Sequence, residues 1–149
     1  MNTLADPRVR DACRERIERL DPNASPKWGR MTARQMVCHL IDSFRVGTGE
    51  KYASPATGLL QRTLAKWVAL RTPLRWPRGM PTRPEIEQGR GGTPPADWER
   101  DRKELLDLID TFAEHQTFAL HPTFWKMSSR DWLTWGYRHV DHHLRQFGV

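Results

Sequence analysis

Apolar residues recur every three or four positions in five stretches of the chain, with charged residues between them. In "ADPRVRDACRERIERL", Val9, Cys13, Ile17 and Leu20 form a narrow stripe behind the start signals Asp6 and Pro7, which predicts a helix over 7–20. "MTARQMVCHLIDSFRVG" puts Ala33, Met36, Val37, Leu40 and Phe44 on one arc. Thr32 with Gln35 three residues on reads as a capping box, and Gly47 and Gly49 read as the helix end. A third helix over 55–71 carries Leu60, Leu64, Trp67 and Val68 on one side. In "DWERDRKELLDLIDTFAEHQ", Leu105, Leu108, Ile109 and Phe112 form a core face. A last helix, capped by Ser128 or Ser129 with Asp131 in its acid-favouring first turn, runs to Phe147.

No stretch alternates with period two. Between Thr72 and Ala96 stand six prolines and four glycines, which bars long regular structure. A loop of that length inside a domain is usually functional or mobile. The pattern therefore predicts an all-α fold: an antiparallel four-helix bundle with a long crossover carrying an extra helix. At 149 residues the whole chain, 1–149, is expected to be one domain.

Charge adds one local feature. The chain has 24 Lys and Arg against 18 Asp and Glu, and the excess of six sits in 62–83: Arg62, Lys66, Arg71, Arg75, Arg78 and Arg83, with no acid. The remainder is balanced, so a nucleic-acid binder is not the expectation for the chain as a whole. Two cysteines, Cys13 and Cys38, make no disulfide framework. "MNTLADPRVRD" has no apolar signal region, and no run approaches the roughly 18–20 apolar residues of a membrane span. A cytoplasmic protein is expected.

The candidate chemistry lies in the histidines. "YRHVDHHLRQFG" holds His139, His142 and His143. At about 100° per residue, His143 lies about 40° from His139, one turn along. Trp132, Trp135, Gly136 and Gln146 fall within about 60° of the same line, while His142 sits about 60° away on the opposite flank. The 139/143 pair therefore points inward. Two satisfied core histidines, or imidazoles favoured at a helix C-terminus, account for such a pair on its own more readily than a metal does. His39, mid-way along the second helix and about 110° from the centre of its apolar arc, is the candidate third ligand. Asp42 and Ser43 lie one turn on as partners behind it. His115, His121 and Cys38 read as ordinary structural residues.

"WGRMTARQMVCHLIDSFR" and "HPTFWKMSSRDWLTWGYRHVDHHLRQFG" together resemble the DinB/YfiT-like superfamily, and within it a branch of unknown function. The resemblance spans most of the bundle; residues 50–95 carry no motif that belongs to it. It implies a four-helix bundle whose metal is held by one His of the second helix and a His-x3-His pair of the last. Carried over by position, these are His39, His139 and His143. Where the more typical superfamily end has Arg-Gly-Gln directly after the last His, this chain has Leu144, Arg145 and Gln146.

Three neutral imidazoles leave positions open on a divalent ion. Zn²⁺ or Ni²⁺ leads, and Fe²⁺ or Mn²⁺ is also compatible. Some members of the superfamily are transferases that activate a low-molecular-weight thiol, so the resemblance implies an S-transferase acting on a small-molecule electrophile. Trp132, Trp135 and Phe124 are candidate pocket walls, and His142 a candidate base. Metal-assisted hydrolysis is the alternative chemistry. Bundles of this kind often dimerise, so a homodimer is expected. A non-enzymatic alternative remains: the 62–83 segment, with Trp67 and Trp76 among its arginines, as a binding surface for nucleic acid or an anionic membrane.

Overall fold

The computed structural model describes residues 1–149 and is helical throughout, without a strand. Helix α1 (Pro7–Glu18) starts at the predicted signals: the Asp6 carboxylate accepts from the Arg8 N–H, and Pro7 has no N–H to satisfy. It ends two residues before Leu20, which is buried all the same. Helix α2 (Ala33–Thr48) opens with the expected capping box. The Gln35 N–H donates to Thr32 Oγ1 at 3.2 Å and the Thr32 N–H to Gln35 Oε1 at 3.0 Å. Gly49, at φ 84°, ends the helix, whereas Gly47 stays within it. A Cβ at Gly47 would stand 2.7 Å from the Phe112 ring, so this position is a close crossing and not a stop.

Helix α4 (Trp98–Glu114) is capped by Asp97 and helix α5 (Ser129–Phe147) by Ser128. Helices α1 and α2 each pack against both α4 and α5. The core between them holds Leu4, Ile17, Met36, Leu40, Phe44, Leu105, Ile109, Phe112, Trp132 and Leu144.

The connection between α2 and α4 departs most from the sequence pattern. Residues 59–71 wind one continuous crossover helix, with a π-turn over Gln61–Ala65 followed by α3 (Lys66–Arg71). Its Leu60, Leu64 and Trp67 face solvent, and Leu70 is its one buried residue. Cations hold it to the body: Arg71 and Lys66 both reach Asp131. Asp131 is also the capping-box acid of α5, accepting from the Ser128 N–H. Burial pushes its carboxyl up, but the Ser128 hydrogen bonds and the Arg71 guanidinium outweigh that and hold it below the ordinary carboxylate value.

Beyond the crossover helix the Pro-rich loop covers the outer face of α2. Its short 3-10 turn, Pro84–Ile86, buries Ile86. Asp42, fully buried, fastens the loop: the Thr93 N–H and Oγ1 each meet its carboxylate at 2.7 Å, and Lys51 Nζ at 2.9 Å. A second feature that periodicity does not show is the segment between α4 and α5. His121, Pro122 and Phe124 are buried. His121 Nδ1 accepts the N–H groups of Thr123 and Phe124, both at 3.0 Å, and its ring stacks on Phe124.

Cys13 and Cys38 are free and buried. Burial pushes the Cys13 thiol up to about 11. Burial together with neighbouring Asp101 pushes that of Cys38 up to about 12.

Gly136 marks a second close approach. A Cβ there would meet Leu4 Cδ1 at 2.9 Å, Phe44 at 3.2 Å and Phe112 at 3.3 Å. Gly136→Ala should therefore destabilise the fold by about 1–3 kcal/mol, as overpacking of close-packed interiors does. Urea unfolding measures this, and an unchanged midpoint would show that the interior yields there.

Candidate metal centre

Two elements bring the three predicted histidines together. Helix α5 presents His139 and His143 one turn apart, and α2 presents His39 from across the core. His139 Nε2 lies 3.2 Å from His39 Nε2 and 3.2 Å from His143 Nε2. One ligand atom from each of the three falls within 4.8 Å of the others. His39 and His143 are buried and His139 is half-buried, so the cluster reaches the surface on the His139 side.

The other ring nitrogens decide what the converging ones can do. His39 Nδ1 faces the Ile86 carbonyl at 3.2 Å, and His143 Nδ1 faces Gln146 Oε1 at 2.8 Å. Gln146 Nε2 donates to the Trp28 carbonyl at 2.6 Å, which fixes which amide end faces His143. Both partners are acceptors, so both Nδ1 atoms carry the proton and both Nε2 atoms present lone pairs. His139 Nε2 can offer at best one forked proton to two lone pairs. A cation at the point of convergence would satisfy all three. Zn–N bonds of ~2.0–2.1 Å at tetrahedral angles give N···N edges of about 3.3 Å, close to the two 3.2 Å edges that meet at His139. The donor set thus fits a divalent transition metal.

The electrostatics agree. Burial pushes the imidazolium form of His39 down. His139 and His143 are held well below the ordinary value of 6.5, by burial first and then by neighbouring imidazoles, His143 and His39 acting on His139 and His39 acting on His143. Three neutral imidazoles are the form a metal binds.

The remaining predicted residues fall in different places. Trp135 packs on His139, ring centroids 4.7 Å apart. Trp132 is fully buried one layer behind, among Phe112, Phe118, His121 and Trp135, and does not touch the three histidines. His142 is half-buried beside the cluster, 5.2 Å from the His143 ring. Asp42 makes no hydrogen bond to His39; its oxygens serve Thr93 and Lys51, and Ser43 donates to the His39 carbonyl at 2.7 Å. Asp42 supports His39 indirectly, by holding the loop that brings in Ile86.

Four contributors escaped the sequence reading: the Ile86 and Trp28 carbonyls, the Gln146 amide and the Trp76 ring. Gln146 had a readable signal, three residues after His143 on the inward face. Trp76, from the Pro-rich loop, stands 6.0 Å from His139 and 6.2 Å from His142, and Trp28 stands 5.8 Å from His142. Trp28 depends on Gly29, whose φ of +80° and missing side chain let the loop approach Gln146. A Cβ there would stand 2.7 Å from Gln146 Nε2.

The family described as "Protein of unknown function (DUF1569)" matches residues 4–148 of the chain. No curated protein and no solved structure matches it.

The buried histidines fix the sign of an acid effect. In the unfolded chain they take up protons near 6.5. In the fold His39, His139 and His143 do so only lower, and His121, desolvated within its aromatic stack, only at about 3. The unfolded state thus binds more protons below about 6.5, and stability falls with pH from there. Urea unfolding of chelator-treated protein should show its midpoint dropping steadily from neutral pH to about pH 4. A midpoint flat across that window would mean the histidines protonate freely in the fold.

Proposed function

The chain belongs to the DUF1569 family of proteins of unknown function, and from the chemistry of its site we propose a metal-dependent enzyme whose metal is held by His39, His139 and His143. The observation that carries this reading is the double 3.2 Å approach of His139 Nε2 to two nitrogens that each present a lone pair. The packing of α1 and α2 against both α4 and α5 supports the four-helix-bundle architecture that the DinB/YfiT-like resemblance implies.

Zn²⁺ or Ni²⁺ with three protein ligands would supply Lewis acidity at its open positions, lowering the pKa of a bound thiol or water. The chain's own residues do the rest. Ile86 and Gln146 fix the tautomers and aim the Nε2 atoms. Trp135 and Trp76 exclude water around His139. His142, not itself a ligand, stands at the mouth within reach of an entering molecule and can take or return a proton there. Trp76 also lines a cavity of about 430 Å³ together with Arg75, Tyr137, Arg138, Asp141 and Arg145, onto which none of the three histidines opens.

By the resemblance, the reaction is transfer of a low-molecular-weight thiol to a small electrophile. Metal-assisted hydrolysis is the alternative from the same ligands. With Zn²⁺ or Ni²⁺ loaded, electrophile turnover that requires added thiol supports transfer. Turnover indifferent to thiol supports hydrolysis.

The site itself is tested by metal analysis of protein carrying no histidine tag. Wild type should hold about one equivalent, and His39→Ala and His143→Ala should hold almost none. Gln146→Leu, which keeps all three ligands, should weaken affinity by about 10–100-fold. Wild-type protein that neither carries metal nor takes it up from Zn²⁺ or Ni²⁺ would sink the proposal.

A further inference from the structure

Nine large apolar side chains stand exposed, and seven of them lie between Tyr52 and Met80. On the crossover helix Leu60, Leu64 and Trp67 recur at i, i+4 and i+7, which makes one stripe. They are 60%, 57% and 58% exposed, and neighbouring Leu59 is 81% exposed. A surface helix normally turns such a stripe to the core. Here the helix sits the other way round. Lys66 and Arg71 face inward to Asp131, Arg62 lies 4.8 Å over the Trp125 ring, and the leucines and tryptophan face out. On the strap that follows, Leu74 and Met80 are exposed as well.

Charge narrows the choice of what covers this face. Residues 51–83 carry no acid; Lys51 is paired with buried Asp42 and Lys66 and Arg71 with Asp131, which leaves Arg62, Arg75 and Arg78 exposed with no carboxylate partner. Lys126 and Arg130, both exposed, stand on the segment the crossover helix packs against. The one acid beneath the helix, Asp131, is already shared by Lys66 and Arg71. A second copy docked here by two-fold symmetry would bring two acid-free cationic segments together, which like-charge repulsion opposes. Nucleic acid would answer the cations but leave four leucines and a methionine without a partner. An anionic bilayer answers both features: aliphatic side chains enter the headgroup–acyl boundary, Trp67 sits at the interface, and arginines meet lipid phosphates.

We propose that the outward face of the crossover helix and of the strap after it is a docking surface for an anionic lipid bilayer. The contact is peripheral, since no helix is long and apolar enough to cross a membrane. It needs neither the three histidines nor their metal.

The test is co-sedimentation of the full chain with phosphatidylcholine vesicles, with and without phosphatidylglycerol. Retention is expected on the anionic vesicles, weakening in high salt, and at least about tenfold less on the neutral ones. Leu64→Glu, an exposed substitution, should abolish retention while leaving the thermal melting temperature and the metal content unchanged. Light scattering and DNA retention run alongside. No retention on anionic vesicles overturns the proposal. So does a dimer that Leu64→Glu splits, which assigns the face to a second copy. DNA retention that exceeds vesicle retention assigns it to nucleic acid.

Discussion

Two nitrogen lone pairs and a third imidazole nitrogen are pressed together where none of their rings can easily carry charge. A single Nε2 proton on neutral His139 can be shared between the two lone pairs but satisfies neither fully, and burial opposes charging any of the three rings. The fold holds the rings there nevertheless, which requires that the far side of each ring be fixed. Much of the architecture outside the helices serves that need. Ile86 reaches His39 because Asp42 fastens the Pro-rich loop through Thr93. Gln146 reaches His143 because Gly29 lets the Trp28 carbonyl come close.

The connection between α2 and α4 thus has two faces with opposite characters. Its inner side delivers Ile86 and Trp76 to the histidines, and Arg138 of α5 holds the strap by donating to the Thr72 and Leu74 carbonyls. Its outer side carries the apolar stripe. Asp131 joins these worlds: one carboxylate starts the helix that bears two of the three histidines and anchors the crossover helix.

The helices were legible because their signals are local. Asp6–Pro7, Thr32–Gln35 and Gly49 operate within one turn, and the structure uses each as read. The His139/His143 pair was legible for the same reason, since both lie on one helix. The phase of His39 along α2 alone sets it about 110° off the apolar arc; the Pro84–Ile86 turn, far downstream, is what covers it. The crossover helix shows the converse. Periodicity finds an apolar stripe but not which way it faces, and here buried Asp131, drawing Lys66 and Arg71 inward, turned it out. The segment between α4 and α5 was not legible because His121 supplies the hydrogen bonds of its own turn, which makes a loop-like composition compatible with burial.

Cys38 is the immediate neighbour of His39, yet its sulfur faces Asp101, and neither it nor Cys13 ionises in the physiological range. Sulfur is therefore kept out of the ligand set by helical rotation alone, and the coordination sphere offered by the chain is all nitrogen. To a metal held by these histidines the protein would offer no internal thiolate as a further ligand, and none to be oxidised beside it. If thiol chemistry takes place there, the sulfur arrives and leaves with the substrate, and the polypeptide is left chemically unchanged.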